Sequence, residues 1–138
     1  MLKSPEQAVA RAIMADPLVA NVLGQRVWPV LAPQSADLPF ATWRRVSVLR
    51  QQSLGGPTGI TTVQLALDIY ATTYEGVRDI ADRVRDVLDG WGVENSEYVG
   101  VRNVSLDTES DGFVQLAGGD LPPVYQVSQT YSILWQEI

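Results

Sequence analysis

Three carboxylates spaced two residues apart are the side chains best arranged to do chemistry. Asp107, Glu109 and Asp111 alternate along the end of a predicted strand, so we expect them on one face. Such a group could bind a hard cation or supply an acid and a base. Their spacing does not match an EF-hand loop. We therefore favour a solvated acidic edge that discourages strand pairing, with no metal or catalytic role.

The segment "LGGPTG" at 54–59 raises the question of phosphate binding. A Walker loop has a lysine after its last glycine, but Gly59 is followed by Ile60. A dinucleotide-binding loop lies between a strand and a helix, whereas this segment lies between two predicted strands. A hairpin loop is the favoured interpretation, because glycine reaches positive φ and Pro57 fixes a turn.

Arginine and tryptophan side chains are the candidates for partner contacts. Arg44 and Arg45 are consecutive on a predicted strand, so they point to opposite faces and cannot form one clamp. Ion pairs between subunits are more consistent with them than nucleic acid. The tryptophans are typical of core or interface anchors: Trp28, Trp43, Trp91 and Trp135.

The chain contains no histidine and no cysteine. It therefore lacks the most frequent general base, the commonest transition-metal ligand, and any thiolate or disulfide. An enzyme could still use carboxylates, hydroxyls or a lysine. The composition nevertheless favours a protein that is not an enzyme, with no catalytic, cofactor or metal site.

Charge is distributed unevenly along the chain. The net charge is −6, and residues 73–138 hold four basic and twelve acidic residues. Tight binding to nucleic acid needs a cationic surface, and a membrane-surface role needs a polybasic patch, so neither is expected. The N-terminus lacks the features of a signal peptide, and we expect the protein to act in a cytoplasm or in a particle assembled there.

Two clear helices are predicted. The first is capped by Ser4, which forms a capping box with Gln7, and Pro5 suits its first position. It ends at Asp16-Pro17, and a short helix or turn follows at 18–24. The second is capped by Thr72 and Glu75 and ends at Gly90. Its predicted apolar stripe is Val77, Ile80, Ala81, Val84, Val87 and Leu88, and its predicted ion pairs are Arg78/Asp82 and Asp79/Arg83.

Four strands are predicted at 40–51, 60–72, 98–109 and 124–138, with a fifth short one near Val27 and a loop at 110–123. Strict alternation marks 60–72, where one face carries Val63, Leu65, Leu67, Ile69 and Ala71. The closing strand places Tyr125, Val127, Tyr131, Ile133 and Trp135 on one face. Strands joined by loops predict an α+β fold, an antiparallel sheet with two helices on one face.

The strands are long for a chain of 138 residues. A strand at 60–72 would extend roughly 40 Å at about 3.3 Å per residue, whereas a domain of this size has a radius of gyration of about 14 Å. We expect residues 1–138 to form a single domain whose strands project towards a partner, and hence an oligomer.

The sequence resembles the tail-completion, or tail-terminator, proteins of long-tailed bacteriophages and gene transfer particles. Three runs carry the resemblance: "GQRVWPVLAPQSADLPFATWRRVS", "VQLALDIYATTYEGVRDIADRVRDVLDG" and "VYQVSQTYSILWQE". Together they extend over nearly the whole chain. The segment 107–123 matches least well.

This resemblance implies a ring-forming subunit, a homohexamer in the virion at the head–tail junction, assembled in the bacterial cytoplasm. The ring would cap the head-proximal end of the tail tube, end its growth and bind the head connector, while DNA passes through its centre. Its partners would be its own copies, the major tail tube protein and a head-completion protein, with no cofactor. The expected partner interface comprises Arg44, Arg45, Arg50, Leu54, Gly55, Gly56, Pro57 and Trp135.

Two other functions stay open at this point. Another neck or head-completion ring protein would have the same size and composition. A small carboxylate-dependent enzyme or ligand-binding domain would instead be a monomer with a deep pocket holding Asp107 or Glu109.

Overall fold

A computed structural model describes residues 5–30, 38–53, 56–90, 100–114 and 124–136. Within these ranges the chain forms three helices and five strands. In chain order they are α1 (Pro5–Ala15), α2 (Pro17–Leu23), β1 (Val27–Pro29), β2 (Phe40–Ser53), β3 (Gly56–Ala71), α3 (Tyr74–Leu88), β4 (Gly100–Val114) and β5 (Val124–Gln136).

The short segment at 18–24 is a helix, so three helices replace the two that the sequence predicted. The Asp16 carboxylate accepts a hydrogen bond from the Val19 N–H at 3.1 Å and caps α2. Pro17 occupies the first turn, and Gly24 ends the helix with a φ of 57°. Ser4, the predicted cap of α1, lies outside the described residues.

Helix α3 begins one residue later than predicted, because Thr73 rather than Thr72 is its N-cap. The Thr73 hydroxyl accepts a hydrogen bond from the Gly76 N–H at 3.0 Å. The predicted stripe is confirmed: five of its members are buried, and Val87 packs against them from a half-buried position. Gly90 follows the helix with a φ of 82°.

The five strands form one mixed sheet in the order β1-β2-β3-β5-β4. β1 pairs parallel with β2, and every other pairing is antiparallel. The sheet is therefore mostly antiparallel rather than wholly so, because β1 and β2 run in the same direction.

The two faces of the sheet differ. One, which we call the helix face, carries the predicted alternating side chains of β3 and β5, and all except the half-buried Tyr125 are buried. Helix α3 packs on β3 and β5, and α1 and α2 contact α3. The opposite face, the open face, carries mainly hydroxyl and amide side chains, among them Thr62, Gln64, Ser128, Thr130 and Ser132.

Strand β4 extends further than the sequence predicted. Residues 110–114, expected to begin a loop, pair with β5, ending at Val114 opposite Val124. Ser110, Asp111 and Gly112 are typical of turns. Here their backbone groups pair with β5, which is itself held in place by its pairing with β3 on the opposite side.

Candidate assembly interface

Arg44 and Arg45 lie on opposite faces of β2, as the sequence predicted. Arg44 is paired across the ladder with Ala66, on the open face, and Arg45 with Leu65, on the helix face. Both side chains are exposed. A β-bulge follows directly at Val46, because the register shifts between Arg45 and Ser47.

The hairpin end of β2 and β3 carries the other predicted contact residues. Arg50 is exposed and paired with Thr61. Leu54 and Gly55 lie outside the described residues. Gly56 and Pro57 belong to β3 and pair with Ser53 and Gln52, so a loop at 54–59 was wrong.

The loop was predicted from Gly56 and Pro57, which are typical of turns but lie in β3. Proline has no N–H to donate to a ladder, and it is tolerated in strands at irregularities. The register shifts between Arg50 and Gln52, beside the position of Pro57, so the ladder is already interrupted there.

Trp135 belongs to the core. Its side chain is 5% exposed on the helix face of β5, and its indole Nε1 has no hydrogen-bond partner among the described residues. Its large ring therefore stabilises the closing strand from within the subunit.

A second β-bulge divides the three predicted carboxylates. The register of β4 shifts between Leu106 and Thr108, so Asp107 is the extra residue. Asp107 accepts a hydrogen bond from the Ser132 hydroxyl on the open face. Glu109 pairs with Gln129 and points to the helix face. The expectation that Asp107, Glu109 and Asp111 share one face was therefore wrong, because alternation restarts after a bulge.

Arg78 of α3 holds the two carboxylates on the helix face. Its guanidinium donates to Glu109 at 2.8 Å, to Asp111 at 3.4 Å and to Asp82 at 2.9 Å. The last contact is the predicted i,i+4 pair. Tyr74 also donates its hydroxyl to Asp111 at 2.8 Å. These contacts join the outer strand β4 to α3. Glu109 is half-buried in them, whereas Asp111 keeps 47% of its side chain exposed to solvent.

A buried amide continues this network into the core. Gln129 is fully buried; its Nε2 donates to the Glu109 carboxylate at 2.7 Å and to the Ala81 carbonyl at 3.0 Å. The Tyr131 hydroxyl donates to the Gln129 Oε1 at 2.8 Å. Burial acts to raise the pKa of Glu109, but the hydrogen bonds from Gln129 and Arg78 outweigh it and lower that pKa.

Sequence analysis missed Gln129, although a signal was present. The alternation of the closing strand runs Tyr125, Val127, Gln129, Tyr131 and Ile133, which places an amide in the middle of an apolar stripe. A polar residue at a core position must find partners inside the fold.

A second ion pair fixes the short helix α2. Arg83 donates to the two Asp16 carboxylate oxygens at 3.0 and 2.7 Å, instead of forming the predicted pair with Asp79. The hydrogen bond from Arg83 lowers the pKa of Asp16. Between α2 and α3 lies an open groove with a volume of about 270 Å³, lined by Leu18, Val19, Val22, Asp79, Ile80 and Arg83.

Asp16, Glu109 and Asp111 thus join neighbouring elements. No group of three or more Asp or Glu residues arranged to hold a metal ion is found in the described ranges. None of the helices in those ranges is long and apolar enough to cross a membrane. The exposed features are an arginine-bearing strand, β2, and an acidic strand, β4, which lie towards opposite edges of the sheet.

Comparisons with known proteins agree with an assembly role. The model of a family described as tail completion protein gp17 matches residues 7–134. A solved chain from the virion of a native gene transfer agent particle is similar in fold, with a TM-score of 0.75 and 12% sequence identity; the match covers 96% of this chain and 95% of that chain. A comparison with curated protein sequences finds no match.

Proposed function

The chain belongs to the family of tail completion protein gp17, and from this membership we propose that it is a structural ring subunit of a phage-like tail. The ring, a homohexamer, caps the head-proximal end of the tail tube, ends tube growth and joins the tail to the head connector. The protein acts by assembly and carries out no reaction. It is present in the virion at the head–tail junction, after assembly in the host bacterial cytoplasm.

The observation that carries the proposal is the extent of the family match. Residues 7–134 include all eight helices and strands except the ends of the first and last, so the match covers the whole described architecture. The similar fold of a chain from a gene transfer agent virion fits a protein of a phage-like particle. Membership of this family directly supports a structural protein of a phage or gene transfer agent tail. The cap of the tail tube and the joint to the head are the parts that we propose.

The proposed mechanism is templated assembly. One side of the ring binds the last layer of tail tube protein, and the other side accepts no further tube subunits and binds a head-completion protein. DNA passes through the centre without specific binding, because a net charge of −6 opposes contact with phosphates. The proposed partner contacts are Arg44, Arg45 and Arg50 with the hairpin end at 54–57, and Trp135 supports them from the core.

Deleting the gene tests the role. We expect a lysate with filled heads lacking joined tails and with tubes of abnormal length, because nothing ends tube growth. Electron microscopy measures both, and supplying the wild-type gene in trans is the control. Normal joined particles would exclude the proposal.

A second measurement separates this role from that of another neck protein. Purified chain should bind one end of isolated tubes and prevent their elongation when tube protein is added. Binding to isolated heads without any effect on tubes would assign it to the head side instead.

A further inference from the structure

Besides the outer edge of the short terminal strand β1, two long strands of the sheet have an outer edge that is wholly or largely without a partner among the described residues. β4 pairs only with β5 there. β2 has β1 on its outer side only at Ala41–Trp43, so its outer edge from Arg44 to Ser53 faces no described strand. That stretch of ten residues spans roughly 30 Å. Long strand edges of this kind are templates for pairing with another chain.

The charges of the two edges are opposite. β2 carries Arg44, Arg45 and Arg50 and no acidic residue, whereas β4 carries Asp107, Glu109 and Asp111 and one arginine. Neither Arg44 nor Arg50 has an ion-pair partner within the described ranges. Pairing β2 with β2 would bring arginines together. The part of β4 level with the free edge of β2 is residues 100–108, whose charged residues are Arg102 and Asp107, so Arg44 meets an opposite charge there only at Asp107.

Strand direction also permits this pairing. From β2 to β4 the sheet contains four strands, β2, β3, β5 and β4, and each is antiparallel to the next. β2 and β4 therefore run in opposite directions. When a second copy is related to the first by rotation about an axis along the strands, its β2 meets the first copy's β4 in antiparallel orientation. Repeated head-to-tail contacts of this kind close into a ring when the rotation between copies is a whole fraction of a turn.

The register identifies one specific contact. A single row across the sheet joins Arg44 to Ala66, Thr130 and Thr108. Rotation about an axis along the strands keeps every residue of this row at the same level along that axis. Arg44 of one copy therefore lies beside Thr108 of the next. The bulge turns Asp107, the neighbour of Thr108, to the open face, where Arg44 also points.

We propose that neighbouring copies of this chain join by antiparallel pairing of the outer edge of β2 with β4, with an ion pair between Arg44 of one copy and Asp107 of the next. This inference rests on the ring proposed above and adds its contact surface. The bulge at Asp107 then has a function, since it places a carboxylate on the face that the arginine reaches.

Charge reversal tests the pair. We expect R44E and D107R each to raise the dissociation constant of the ring at least tenfold, because each brings like charges together. The double variant R44E/D107R should recover most of the assembly, since every junction again has opposite charges. R11E, at an exposed arginine of α1, is the matched control and should assemble normally. Native mass spectrometry measures assembly, and circular dichroism melting verifies that each subunit folds.

Disulfide trapping gives an independent readout, because the chain has no native cysteine. The double variant R44C/D107C should form a ladder of covalent oligomers on oxidation, whereas R11C/D107C should not. Dimers formed by R44C alone would overturn the inference in favour of β2–β2 pairing.

The failures of the two proposals are distinguishable. A wild-type ring that neither charge reversal weakens, and whose double cysteine variant gives no ladder, would overturn this contact and leave the ring. A wild-type chain that stays monomeric both alone and on tail tubes would overturn both.

Discussion

Glu109 is the residue through which the outer strand β4 is connected to the core. It accepts hydrogen bonds from Arg78 and from the fully buried Gln129, and its side chain is 19% exposed. The sequence pattern predicts that Glu109 is one of three equivalent carboxylates with Asp107 and Asp111. The structure separates them: Asp107 faces outwards, and Glu109 serves as the acceptor that satisfies a buried amide.

We predict that E109Q lowers the free energy of unfolding by roughly 1 kcal/mol at pH 7, because the charge-assisted hydrogen bond from Arg78 becomes a neutral one. The folded pKa of Glu109 lies below its ordinary value of 4.5, so the stabilisation is present above pH 4.5 and is lost as pH falls through the folded pKa. The difference between wild type and E109Q should therefore shrink in acid.

Urea denaturation at pH 7 and at about pH 3.5 measures this difference. E75Q, the same substitution at an exposed glutamate of α3, is the control and should change stability by only a few tenths of a kcal/mol. If E109Q were less stable than wild type by the same free energy at both pH values, the Glu109 side chain would act through its shape rather than its charge.

At the scale of elements, the end of α3 is held by contacts with β4. The Gly90 N–H donates to the Val104 carbonyl at 2.7 Å, and the Leu106 N–H donates to the Asp89 carboxylate at 3.2 Å. Gly90 reaches this arrangement with a φ of 82°, a region that L-residues with a side chain rarely adopt. The same two residues, Asp89 and Gly90, therefore end α3 and fix the position of β4 against it.

We predict that G90A destabilises the fold by about 1 kcal/mol. No atom of the described residues lies within 4 Å of a Cβ added at Gly90, so the expected cost is that of the backbone conformation. The matched control is G112A in β4, where φ is not positive and a Cβ would meet only Gln126 Oε1 at 3.8 Å; it should be neutral or slightly stabilising. Thermal melts of both variants provide the comparison, and equal melting temperatures would contradict the argument.

Elements were predictable where the side-chain pattern and the backbone agree. The alternation of Val63, Leu65 and Leu67 defined β3, and the stripe of α3 defined its buried face, because both patterns are repeated over many residues. Boundaries failed where local residue type conflicts with long-range pairing: Gly56 and Pro57 entered β3, and Asp111 and Gly112 entered β4. The bulges at Val46 and Asp107, and with the latter the separation of Asp107 from Glu109, left no local signal, since a bulge is defined only against the partner strand.

At the scale of the whole molecule, a head-to-tail ring joined by opposite charges must depend on ionic strength. We predict that its dissociation constant rises several-fold between about 0.05 and 0.5 M NaCl, because screening shortens the range of exposed charge pairs to a few Å. Backbone hydrogen bonds between β2 and β4 should keep part of the affinity. Light scattering across a salt series measures it, with sucrose of equal osmolality as the control. A ring that strengthens with salt would indicate an interface dominated by apolar contacts.

The bulges have a geometric consequence for the sheet itself. Between two matched rows, Trp43–Val48 of β2 and Val104–Glu109 of β4 each use six residues, whereas Val63–Leu67 of β3 and Gln129–Ile133 of β5 use five. Each border of this strip thus holds one residue more than its midline. A bulge takes up its extra residue by bending its strand and increasing the local right-handed twist. We therefore expect the open face to be more strongly twisted at its two borders than along its centre.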